Sequence, residues 1–266
     1  MKLPNSSFAP EMSLAIEAAL SASEQIMRVY NTRFTHDIKD DKEPVTEADI
    51  ASDKVIHKIL SREGYLILSE ESADSPDRLD KIRVWIVDPL DGTSDFVNKT
   101  GEFSVMIALV ENHIPILGVV FRPTDNTLYI AQKDKGAYKR INEEWHKMLV
   151  SSTNDLTKIK AVVSRHHLSK KEELFLEKLG ISDFIQMGSA GLKIAEIGAG
   201  RADLYFSMTG KMKQWDTAAA HCIIKESGGK ITDMLGNDLI YNTKDVFHKN
   251  GILVTNNLIH DKILNI

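Results

Sequence analysis

The chain has 266 residues, 42% hydrophobic and 27% charged, enough to bury a substantial core in one large or two moderate domains. A formal net charge of −5 argues against nucleic acid as a partner, although a small phosphate needs only a local positive site. The single cysteine, Cys222, excludes an intrachain disulfide and thiolate zinc clusters.

No stretch approaches a membrane span, and residues 1–10 lack an apolar signal region. A cytoplasmic location is therefore expected, with peripheral attachment to an inner membrane left open. Met12, Ala15, Ile16, Ala19, Ala22, Ile26 and Val29 recur at helical spacing, which predicts a helix over 11–30. Residues 31–43 are charged and read as a loop, with Asp40-Asp41-Lys42 solvated. A second helix is expected over 50–62, with Thr46 and Asp49 bracketing its start as capping residues do. A short strand over 65–68 ends in Ser69-Glu70-Glu71-Ser72, and 73–83 reads as a polar loop.

The central stretch is Trp85-Ile86-Val87-Asp88-Pro89-Leu90-Asp91-Gly92-Thr93. The apolar run 84–87 predicts a buried strand ending on Asp88, where Pro89 withdraws a ladder donor. Two carboxylates at a strand end are costly to hold together unless a cation lies between them, and oxygen-only ligands suit a hard ion such as magnesium. Backbone N–H groups at Gly92 and Thr93 would face an anion if they open a helix. The competing reading is a plain strand–turn with Asp as the turn former.

Strands over 104–110, 116–121, 127–132 and 136–140 predict a meander, so the first half reads as helices on a largely antiparallel sheet. Composition changes over 142–155, which is expected to separate halves at 1–145 and 146–266. Beyond it the pattern alternates. Strands are expected at 161–164, 184–186, 203–206 and 251–255, and helices at 170–179, 189–197 and 217–227.

Glu70, Asp88, Asp91 and Asp216 each end a predicted strand or open a helix, and strand C-terminal edges are where layered α/β folds assemble ligand sites. Capping alone would also explain Asp216. Ser69-Glu70-Glu71, Asp88-Pro89-Leu90-Asp91-Gly92-Thr93 and Trp215-Asp216-Thr217-Ala218-Ala219 together resemble the inositol monophosphatase superfamily. Gly101-Glu102-Phe103-Ser104-Val105, Pro115-Ile116-Leu117-Gly118-Val119-Val120 and Gly188-Ser189 with Leu192-Lys193 support the likeness. Within the superfamily the chain is most similar to the 3'(2'),5'-bisphosphate nucleotidase branch of the CysQ type.

The resemblance implies an α-β-α-β-α sandwich and two or three magnesium ions held by Glu70, Asp88, Asp91, Asp216 and the Leu90 carbonyl. It implies lithium sensitivity, Thr93 as the residue that helps position or activate the attacking water, and Asp49 as its carboxylate partner. Glu71 would support Glu70 without binding the cation. Ser164 and His167, in Ser164-Arg165-His166-His167, would contact a nucleotide. Gly92, Thr93, Gly188, Ser189, Lys193 and Asp216 would complete the substrate site. A surface histidine and a solvated helix lysine are the plain readings of His167 and Lys193.

Two positions depart from the family pattern. Inositol monophosphatases carry a glutamate seven residues before the final aspartate. Here that position is Thr209, followed by Lys211 and Lys213, and cations favour a doubly phosphorylated substrate over a neutral polyol. Ala220 replaces a glycine; a single methyl at a helix start is expected to be tolerated, with a slight narrowing of the pocket as the alternative. The expected activity is magnesium-dependent removal of the 3'-phosphate of adenosine 3',5'-bisphosphate, a by-product of sulfate assimilation, giving AMP. An inositol or sugar-phosphate phosphatase is the alternative, and a non-catalytic phosphate-binding regulator a remote one.

Overall fold

The computed structural model describes residues 2–4, 6–38 and 44–266. Helix α1, Pro10–Tyr30, begins with Pro10 in its first turn, where a missing N–H costs nothing. Its apolar face packs with α2, Glu47–Leu60, whose start is fixed by a capping box between Thr46 and Asp49. Between the helices, strand β1, His36–Ile38, pairs antiparallel with β2, Pro44–Thr46. The loop expected over 31–43 is thus partly strand. All three β1 residues are exposed, so no apolar run marks them. Asp40-Asp41-Lys42 lies outside the described residues.

The larger sheet runs in the order β3-β4-β5-β6-β7-β8-β9. Its strands are β3 (Leu66–Ser69), β4 (Arg83–Asp91), β5 (Ser104–Glu111), β6 (Ile114–Arg122), β7 (Thr127–Gln132), β8 (Gly136–Ile141) and β9 (Glu144–Lys147). Only β3 and β4 are parallel; the rest form the expected meander. Asn112 and His113, both at positive φ, close the β5–β6 hairpin. After β4 comes a short helix, α3, Thr93–Val97.

The smaller sheet runs β11-β10-β12-β14-β13. Its strands are β10 (Ala161–Ser164), β11 (Phe184–Met187), β12 (Leu204–Ser207), β13 (Lys230–Thr232) and β14 (Ile252–Thr255). The helices of this half are α4 (Lys170–Lys178), α5 (Ala190–Gly198), α6 (Ala218–Glu226) and α7 (His260–Leu264).

Side-chain packing defines five layers. Trp85, Val87, Val105, Ile107 and Val119 on one face of the large sheet meet α1 and α2. Ile86, Met106, Ala108 and Val120 on the other face meet α5 and α6. Those helices are covered in turn by Val162, Tyr205, Ile252 and Val254 of the small sheet. Ala161, Val163, Leu204 and Leu253 on its far face bury Leu176 of α4 and Ile263 of α7. The α-β-α-β-α sandwich is therefore present.

Contact between the large sheet and α6 is very close. A Cβ at Gly118 of β6 would fall 2.1 Å from the Ala219 carbonyl oxygen, so only glycine fits there. Ala220 is fully buried among the apolar residues of this layer and does not line the cleft, so the alternative that its methyl narrows the pocket is not met. Its methyl faces the core because α6 carries its apolar residues toward both sheets. Among the described residues no helix is long and apolar enough to cross a membrane.

Candidate active site

Parallel pairing of β3 and β4 sets Ser69 beside Val87, so the residues that follow, Glu70 and Asp88, emerge together at one sheet end. Strand β4 does not stop at Asp88. It continues to Asp91 through an irregularity between Asp88 and Asp91. Pro89 lacks the N–H a regular ladder needs, and the Leu90 N–H donates to Asp88 Oδ1 at 3.0 Å. The bulge swings Asp88 and Asp91 toward the same side. Gly92 follows at φ 93°, and a Cβ there would press on Glu102 O at 3.0 Å and Ser189 N at 3.2 Å.

Asp216 enters from the loop before α6. Oxygens of Glu70, Asp88 and Asp216 all lie within 4.8 Å of one another. Burial, reinforced by Glu70, Asp91 and Asp216, pushes the Asp88 carboxyl well above its usual range. Burial followed by the field of Glu70 does the same to Asp216. Three clustered carboxylates that resist joint ionisation, with no nitrogen or sulfur donor among them, fit a hard divalent cation. The Lys213 ammonium stands 3.8 Å from Glu70 Oε1, and the Lys213 N–H donates to Asp216 Oδ2 at 2.7 Å.

Asp91 lines the same cleft but has further partners. Its Oδ1 accepts the Ala190 N–H at 3.0 Å. Its Oδ2 accepts the Gly191 N–H at 2.9 Å and the hydroxyls of Ser104 and Ser189. The first amides of α5 are therefore met by a carboxylate of the protein itself. Oδ1, with one donor, retains more capacity for a cation than Oδ2, with three. Ser189 takes positive φ, 56°, and its hydroxyl oxygen accepts from Leu192 as the cap of α5.

Thr93 Oγ1 lies 3.1 Å from Asp49 Oδ1 and 3.1 Å from the Leu90 carbonyl oxygen. One hydroxyl proton serves both acceptors, which leaves the oxygen lone pairs to accept from a water in the cleft. Asp49 itself stands behind the cleft wall, where Oδ2 accepts the Thr46 N–H at 2.8 Å and hydroxyl at 2.7 Å. The cap read from sequence and the partner of Thr93 are the two oxygens of one carboxylate.

The cleft, about 420 Å³, is also lined by Leu90, Ser164, His167, Gly188 and Lys193. Ser164 Oγ accepts the His167 N–H at 3.1 Å. His167 is an exposed side chain at the cleft wall, where partial desolvation, then the charges of Lys193 and His166, lower its pKa. Lys193 is not a solvated helix lysine. It is 3% exposed and its ammonium donates to the Ser189 carbonyl at 2.9 Å. Burial pulls its pKa down to about 8 against the opposing fields of Asp91, Asp95, Glu102 and Asp216.

Sequence reasoning missed the bridge that closes one side of the cleft. Arg165 Nε lies 3.2 Å from Asp95 Oδ1, Arg165 Nη2 pairs with Glu102, and His166 Nε2 lies 3.3 Å from Asp95 Oδ2. Glu102 also accepts the Gly188 N–H at 2.8 Å. Arg165 lies 70 residues from Asp95 and 63 from Glu102, so only the crowding of charged and glycine residues in the stretches that hold them hints at the bridge.

Residues 9–265 match the inositol monophosphatase family. The chain is 34% identical over 244 residues to the 3'(2'),5'-bisphosphate nucleotidase CysQ of Escherichia coli (strain K12), covering 90% of this chain and 97% of that protein. Its structure is similar to that of CysQ from Bacteroides thetaiotaomicron, with a TM-score of 0.82 and 32% identity over 95% of this chain and 99% of that one. It is also similar to the inositol monophosphatase from Anabaena, with a TM-score of 0.80 and 28% identity over 96% and 94% of the two chains.

Proposed function

The chain belongs to the inositol monophosphatase family, and on that footing we propose that it is a magnesium-dependent 3'(2'),5'-bisphosphate nucleotidase, converting adenosine 3',5'-bisphosphate to AMP and phosphate. One observation carries the reading. The cleft that gathers Glu70, Asp88 and Asp216 is also lined by Lys193, Lys211 and Lys213, so a cation site faces a set of ammonium groups. That pairing suits a substrate with a phosphate to cleave and another to hold. Identity to curated CysQ proteins over most of their length supports the choice of branch. Removal of the nucleotide left by sulfotransfer, in the cytoplasm, is the role we assign.

Glu70, Asp88, Asp216, the Leu90 carbonyl and Asp91 Oδ1 would hold the magnesium ions. When bound, these supply Lewis-acid stabilisation of a phosphoryl oxygen and of the departing ribose oxygen. Thr93 Oγ1 accepts the proton of the attacking water while passing its own toward Asp49 Oδ1 at 3.1 Å. Lys193 holds the phosphate that is not cleaved, and Ser164 and His167 face the nucleoside. Thr209 has no carboxylate with which to bind sugar hydroxyls.

The test is phosphate release with and without magnesium from adenosine 3',5'-bisphosphate, inositol 1-phosphate and fructose 1,6-bisphosphate. Preference for the first, abolished by EDTA, is the expected result. Faster turnover of inositol 1-phosphate would replace this reading with an inositol phosphatase, and no turnover of any of them would leave a phosphate-binding regulator.

A further inference from the structure

Helix α2 meets the cleft through one polar face. Asp49 reaches Thr93. Three residues on, Ser52 Oγ donates to the Pro89 carbonyl at 2.8 Å. Next to it, Asp53 Oδ1 accepts the Ser69 hydroxyl at 2.5 Å, and Oδ2 accepts the Ser72 hydroxyl. Positions 49, 52 and 53 are spaced three and four apart and so share a face. The segments they grip are Thr93, the bulge between Asp88 and Asp91, and the turn that carries Glu70.

Asp53 does not line the cleft, yet it is only 6% exposed. A carboxylate buried in mid-helix is costly unless its oxygens are satisfied, and aspartate is a poor helix former. The hydroxyls of Ser69 and Ser72, with His57 Nε2 at 3.4 Å from Oδ1, meet that need. Burial raises its pKa, but the His57 imidazole beside it and the hydrogen bonds from Ser69 and Ser72 outweigh burial and hold it below the usual value, so the group stays ionised. Its two hydroxyl partners bracket Glu70: Ser69 precedes it and Ser72 follows two residues later. One side chain thus ties down both ends of a four-residue turn.

We propose that Asp53 is a positioning residue that holds the Ser69–Ser72 turn so that Glu70 points at Asp88 and Asp216, ready for a divalent cation. The inference rests on the metal-dependent phosphatase reading and adds a residue to it. Removing the carboxylate frees the turn while leaving all the clustered acids in place.

Calorimetric titration of Mg2+ alone, without substrate, into the wild type and its variants tests this directly. Asp53→Ala should weaken Mg2+ binding by about 10- to 100-fold, the range for a partner that orients a metal ligand. Asp53→Asn should recover part of the loss, because the amide oxygen still accepts one hydroxyl. Ser72→Ala leaves α2 intact and covers an Asp53→Ala protein that does not fold. It should weaken binding in the same direction. Ile56→Val, buried on the apolar side of the same helix, should lower Tm without moving Mg2+ affinity. Wild-type affinity in both Asp53→Ala and Ser72→Ala, or an equal loss in Ile56→Val, overturns the assignment and leaves the phosphatase reading standing. A wild-type protein that takes up no Mg2+ overturns both.

Discussion

Asp91 Oδ1 accepts the backbone N–H of Ala190 at 3.0 Å, fastening the end of β4 to the start of α5. This contact needs no metal. Asp91→Asn turns an amino group toward at least one of the donors now facing the carboxylate. It should cost about 1.5–3 kcal/mol, the size of a charge-assisted hydrogen bond. Urea unfolding in EDTA measures that loss apart from any cation effect. Wild-type stability in EDTA would show that Asp91 serves the cation alone. Magnesium affinity and turnover should fall with the same substitution, because the site loses a charge.

Thr93→Ala should lower kcat by about two orders of magnitude, the range for a lost proton-transfer group. Magnesium affinity should hold, since the hydroxyl only donates to the Leu90 carbonyl and Asp49. Thr93→Ser keeps the Oγ and should keep most of the rate. Calorimetry alongside kinetics separates the two properties, and an Ala variant with unchanged kcat would remove Thr93 from the chemistry.

Lys193→Ala should depress kcat/KM for adenosine 3',5'-bisphosphate by about ten- to a hundredfold, the equivalent of one charge-assisted contact. Hydrolysis of 3'-AMP, with no second phosphate, should barely change. The ammonium also donates to the Ser189 carbonyl at 2.9 Å. Equal losses on both substrates would therefore assign the lysine to holding that loop.

A fourth prediction concerns acid stability and lies away from the cleft. His260 accepts or donates between Thr232 Oγ1 at 2.9 Å and Thr255 Oγ1 at 3.0 Å, and burial, with Lys230, pushes its pKa down to about 4. Unfolded, it titrates near 6.5. Above pH 6.5 both states are neutral and the full stability is present. Between 6.5 and about 4 only the unfolded chain binds the proton, so stability falls as pH falls. Going from pH 7 to 4.5 should cost about 2–3 kcal/mol from this group. His260→Gln should flatten the urea-unfolding profile over that window by a similar amount; a parallel profile would mean the ring titrates normally.

Much of the site was legible because its chemistry is local. Asp88-Pro89-Leu90-Asp91-Gly92-Thr93 sets two acids and a candidate helix start within six residues, and the structure uses both. Strand β4 overran its expected end because a bulge lets pairing resume after Pro89, which apolar patterning does not reveal. Asp53 was missed because a mid-helix aspartate looks solvent-facing when its partners lie in another element. The Arg165 bridge and the Asp91 contact with α5 join residues 63 to 100 positions apart, beyond any periodicity. Strand β9 went unread because three of its four residues are exposed, and β13 because it is only three residues long.

Gly118 has no place in the cleft, yet it acts as a spacer for it. Because α6 begins two residues after Asp216, the depth at which that helix settles on β6 sets how far Asp216 reaches toward Glu70 and Asp88. One added methyl, 2.1 Å from the Ala219 carbonyl oxygen, would lift the helix off the sheet and carry the aspartate with it. The geometry of the acidic cluster thus depends on a backbone contact between α6 and β6. A change at Gly118 would therefore be felt among the clustered carboxylates as well as in the packing of the core.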